Sequence, residues 1–193
     1  TSKDIKYPGL NILPPGVERH IVNGGGLTGF QIFPDDEIEV INTEGNQICE
    51  IICFNKDGKS ELGILNLKEN SKKNFIKKIL QGKDESILAT NYQLKKRNLN
   101  ISDSKSSIIF DPDTTAGEIV KLKSKDNCYV IFASPGEDMD VTNQNPPGEL
   151  TLFIKRSKII NDKELNVIPN PIFEPAHEEN ILRQSCTSYE VKE

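Results

Sequence analysis

The sequence predicts an α+β fold, predominantly β: a twisted antiparallel barrel or sandwich with a helical insertion. Three observations predict it. Apolar runs rich in β-branched residues fill about 17–55 and 107–155 of the 193-residue chain. Between them, at about 71–98, the apolar spacing changes from a period of two to that of a helix. Prolines punctuate both ends, where regular structure is not expected.

In order, residues 1–16 are irregular around Pro8, Pro14 and Pro15. ERHIV precedes three glycines, GGGLTG (24–29), which read as a turn; a phosphate loop would open onto a helix, and here a strand follows. TGFQIF, EIEVI and ICEIICF then form a meander over about 17–55, with PDD and TEGNQ as connections. In EIEVI, Ile38 and Val40 alternate with Glu37 and Glu39, the pattern of a half-buried strand. In SKKNFIKKIL, Phe75, Ile76, Ile79 and Leu80 share one helix face, with Ser71 as a cap and Gly82 as a stop. Ile87, Leu88 and Tyr92 mark a second helix. The helical pair is expected to cover an open end or edge of the β structure. Strands resume as SIIF, EIVKL, CYVIFA and ELTLFI. The predicted organisation is a β-rich domain at 1–157, then a Pro-rich linker and the start of a following domain at 158–193.

Composition narrows the function. The net charge of −5 argues against nucleic-acid binding, which needs a basic face. The basic clusters KK (72–73, 77–78) and KKR (95–97) read as solvated helix faces. No apolar run reaches the ~20 residues of a membrane span, and TSKDIKYPGL is not a signal peptide. Four cysteines in a chain this long make no disulfide framework. A cytoplasmic protein is expected, with Cys49, Cys53 and Cys128 buried as structural thiols and Cys186 the most reactive.

Motifs for chemistry are sparse. DMDVTNQNPPGE (138–149) has acidic residues at the ends of a calcium-type loop, but it lacks the central glycine and joins strands. Cys49 and Cys53 share a strand face with Cα atoms roughly 13 Å apart, too far to share a metal, and no other metal-ligand spacing occurs. If a small ligand binds, the polar residues at hand are His20, Asp111 and Asp113, with Glu50 the acidic member of ICEIICF. Asp111 and Asp113 otherwise read as turn formers. Glu50 either faces solvent or serves a site, and the solvated strand face is the expected place, because Glu is seldom fully buried.

PPGVERHIVNGGGLTGFQIFPDDEIEVINTEGNQICEIICFN, with Asn42–Gln47 leading to Cys53-Phe54-Asn55, resembles the start of urea-carboxylase-associated domains. The run from Leu99 to Arg156 resembles the N-terminal region of multidomain proteins of the glycine-cleavage T-protein (aminomethyltransferase) family. That resemblance implies a non-catalytic N-terminal module of a one-carbon transferase, with no cofactor in this segment and tetrahydrofolate bound elsewhere in the parent protein. It also implies following domains of a longer chain as partners; a homodimer is compatible with it. The urea-carboxylase-associated likeness implies a different activity, hydrolysis of a small amidine or urea using His20, while a plain interaction domain is the third alternative. The His and Cys residues associated with metal-binding members are not matched between 100 and 150.

Overall fold

A computed structural model describes residues 13–136 and 146–158. The described residues form two four-stranded antiparallel sheets. One has the order β1 (Val17–Val22), β8 (Leu150–Lys155), β3 (Glu37–Asn42), β6 (Glu118–Lys123). The other runs β2 (Leu27–Ile32), β7 (Cys128–Ala133), β4 (Cys49–Asn55), β5 (Ser106–Phe110). The expected β-rich fold is therefore present as a sandwich, not a closed barrel.

The connectivity is not the expected meander. Among the first four strands no consecutive pair is hydrogen-bonded; the chain crosses to the opposite sheet at each step. β1 pairs with β8 and β2 with β7, the nested arrangement of an eight-stranded jelly roll. PDD and TEGNQ are thus crossovers between sheets, which alternation within a strand does not reveal.

The alternating residues face each other across the sandwich. Ile38 and Val40 of β3 and Leu150, Leu152 and Ile154 of β8 meet Ile51, Cys53, Val130 and Phe132 of the other sheet. β4 is buried on both faces, which explains its unbroken apolar run. Its odd residues enter the sandwich core, while Ile52 and Phe54 face a second cluster with Tyr129 and Ile131 under the helices.

Those helices lie between β4 and β5: a 3₁₀ turn at Leu62–Leu65, then α1 (Phe75–Ile79) and α2 (Glu85–Lys96). They cover the outer face of the second sheet rather than an end or edge. Ile76 and Leu94 are their buried anchors; of the residues that mark the second helix, Ile87 packs against this cluster, while Leu88 and Tyr92 are 54% and 53% exposed. Ser71 does not cap α1, whose cap residue is Asn74.

Gly24 lies against Pro147: a Cβ there would sit 1.9 Å from the Pro147 carbonyl oxygen, so only glycine fits. Buried Gln47 closes this end of the sandwich. Its Oε1 accepts from Gly148 N–H at 2.6 Å, and its amide donates to the Pro135 carbonyl at 2.9 Å. No helix among the described residues is long and apolar enough to cross a membrane.

Candidate functional site

The strongest polar constellation lies at the opposite end of the sandwich, on residues from β1, the β2–β3 connection and the end of β8. On β1, Glu18 and His20 alternate with exposed Arg19 and share a face with buried Val22. This inward face sets the His20 ring 4.5 Å from that of Phe30 on β2, at a 53° tilt. Glu18 holds His20: its Oε2 lies 3.0 Å from His20 Nε2.

Arg156, just past β8, organises the rest. Its Nε and Nη2 donate to the two Glu18 oxygens at 2.7 and 3.0 Å, a bidentate pair. Its Nη1 donates at 2.9 Å both to Asp36 Oδ2 and to the Gln31 carbonyl. Asp36, 1% exposed, also accepts from the backbone N–H groups of Phe33 at 3.0 Å and Ser157 at 2.8 Å. Burial alone would push the Glu18 carboxyl up. The hydrogen bonds from His20 and Arg156, with the guanidinium charge, outweigh it and hold Glu18 at about 2 against an ordinary 4.5.

An ionised Glu18 can only accept, so His20 Nε2 must carry the proton it donates. In the neutral imidazole Nδ1 then keeps its lone pair. With 33% of the His20 side chain exposed, that nitrogen suits the acceptance of a proton or hydrogen bond from a small molecule.

The residues singled out from sequence are not brought together. His20 faces into the sandwich. Glu50 is on the far side of the second sheet, facing the helices, and is fully buried, which corrects the expectation of a solvated strand face. Its burial is satisfied: it accepts from Ser106 Oγ at 2.8 Å, Ser71 Oγ at 3.3 Å and Ile76 N–H at 2.6 Å. Asp111 and Asp113 are exposed beyond β5, in a turn closed by Thr114 N–H on the Asp111 carbonyl at 3.0 Å. Glu18, Asp36 and Arg156 were missed. The only trace in the sequence is Glu18-x-His20 on one strand face; nothing local joins Glu18 to Arg156, 138 positions later.

Cys49, Cys53 and Cys128 are buried free thiols, as expected. Burial pushes the Cys49 thiol up; a hydrogen bond to Cys128, with burial, does the same for Cys53. In the native protein all three should resist a thiol reagent and label only on unfolding; labelling of any of them within minutes under native conditions contradicts this burial. Cys186 and the 138–145 part of the calcium-like loop lie outside the described residues. Among those described, no group of three or more His, Cys, Asp or Glu side chains is placed to hold a metal.

No family model matches the chain. It is similar to trimethylamine-oxide aldolase of Ruegeria pomeroyi (strain ATCC 700808 / DSM 15171 / DSS-3), with 29% identity over 188 residues. The match takes in 97% of this chain and 24% of the relative, so the chain spans about a quarter of that protein's length. Among solved structures, a DUF1989 family protein from Silicibacter pomeroyi aligns over 86% of each chain with 10% identity and a TM-score of 0.38, too low to define a shared fold.

These findings correct the resemblance to a glycine-cleavage T-family N-terminal region and the functions drawn from it. The relative found is named as an aldolase of trimethylamine oxide, in place of the expected aminomethyltransferase, amidine or urea hydrolase, or interaction domain. The expected partner, a transferase of the glycine-cleavage T-family, is corrected on the same ground: the relative is named as an aldolase.

Proposed function

We propose that this chain is the jelly-roll unit of an enzyme acting on trimethylamine oxide or a similarly small amine oxide. The observation that carries the reading is the 29% identity over 188 residues with trimethylamine-oxide aldolase. The chemistry at the end of the sandwich is compatible with it. An amine oxide presents an oxygen that accepts hydrogen bonds and a methylated cationic nitrogen. The ionised, part-exposed Glu18 suits the cation, and His20, when both ring nitrogens carry protons, can donate from Nδ1 to the oxygen while Nε2–H stays on Glu18. Three buried free thiols fit a reducing cytoplasm.

The test is trimethylamine-oxide consumption by the full protein, followed through the methyl signals by NMR. The wild type is expected to consume it. His20→Ala should lower the rate about 100-fold or more, the scale of a lost acid–base group, with little change in melting temperature. No consumption by the wild type overturns the substrate assignment. Full activity in His20→Ala overturns only the role given to His20.

A further inference from the structure

The KKR cluster at 95–97 does not behave as a simple solvated face. Arg97, at the C-terminal cap of α2, turns back over the second sheet, its Cζ 5.1 Å from the centroid of the Tyr129 ring. Its Nη1 contacts Gln93 Oε1, a neutral partner that is itself fully buried. Its Nη2 has no partner. Tyr129 Oη has none either, and both atoms are buried. Unsatisfied buried polar atoms are few in native proteins, and two in adjoining side chains call for an explanation.

The surroundings are shaped around that phenol. Tyr129 is 4% exposed. A Cβ at Gly29 would lie 2.4 Å from Tyr129 Oη, so glycine on the neighbouring strand is what admits the hydroxyl. Burial pushes the phenol up to about 12, and it stays protonated at neutral pH although the Arg97 charge acts in the opposite sense. Both orphan groups are therefore donors, one of them on a cation. The missing partner is an acceptor, and a negative one suits a guanidinium best. Because the C-terminal end of a helix repels anions, the attraction comes from Lys95, Lys96 and Arg97 themselves.

We propose that the Arg97–Tyr129 junction above Gly29 binds a small oxyanion of the carboxylate class, one oxygen accepting from Tyr129 O–H and Arg97 Nη2–H. Entry requires the Arg97 side chain to swing outward from the helix end. This site lies across the second sheet from His20 and does not depend on the amine-oxide reading.

Formate is the probe, titrated calorimetrically into the full protein at constant ionic strength, with acetate as a larger homologue. Saturable binding is expected in the wild type. Tyr129→Phe and Arg97→Gln should each weaken it about tenfold or more, the scale of a lost hydrogen bond to a charged group. Without formate, Tyr129→Phe should melt no lower than the wild type, because it removes an orphan hydroxyl; this shows that lost binding is not lost folding. No saturable binding at millimolar formate, or equal binding in both variants, overturns the proposal. So does a crystal structure grown with formate in which only a water bridges the two atoms.

Discussion

Glu50→Ala should lower the unfolding free energy by about 3 kcal/mol. The change leaves the Ile76 N–H and the Ser71 and Ser106 hydroxyls without their shared acceptor, and opens a void under α1. Glu50→Gln should cost less, about 1 kcal/mol. Its remaining carbonyl oxygen can keep Ile76 N–H, while both serine hydroxyls can rotate to accept from the new amide. Urea unfolding of the three proteins checks this. Equal stability of the alanine variant and the wild type would mean that Glu50 does not fasten the helical insertion to the sheet.

Arg156→Met should cost more, about 3–5 kcal/mol, because it strands Asp36, which is 1% exposed, as a buried charge without its cation. The same network sets an acid limit. Glu18 titrates at about 2 when folded against an ordinary 4.5, so its contribution is complete above about pH 4.5 and is lost as pH falls toward 2. The Glu18 side chain is 39% exposed, and solvent screening reduces that contribution to about 1 kcal/mol. In Arg156→Met the acid-sensitive loss between pH 4.5 and 2 should shrink. A wild-type stability curve flat across that interval would contradict the network.

The strands were legible because each needs only local alternation. Ile38 with Val40, and Leu150 with Leu152 and Ile154, face the core as their spacing required. Their partners were not legible: no periodicity in EIEVI says that β3 pairs with β6 and β8 rather than with its neighbours in sequence. Helix α2 misled for a related reason. Ile87 joins Leu94 in the cluster over the sheet, but Leu88 and Tyr92, read with it, are exposed, and the polar Gln93 is buried. The site fared worst. His20 was visible as one of two histidines, but Glu18, Asp36 and Arg156 matter through long-range closure. Glu50 was judged by the rule that acids stay outside, and three donors reversed that rule.

The nested pairing of β1 with β8 also fixes the order of events in time. β8 is an inner strand of its sheet, held between β1 and β3, and it is the last to be synthesised of the eight strands among the described residues. Until Lys155 has left the ribosome, β1 has no partner, and the β8-facing edge of β3 stays open. At ordinary elongation rates that wait lasts roughly 7–30 s after Val17 is made. For that interval the nascent chain carries unpaired edges of the kind that recruit other strands. Arg156, the residue that then ties β1 to the β2–β3 connection, follows β8 by a single position.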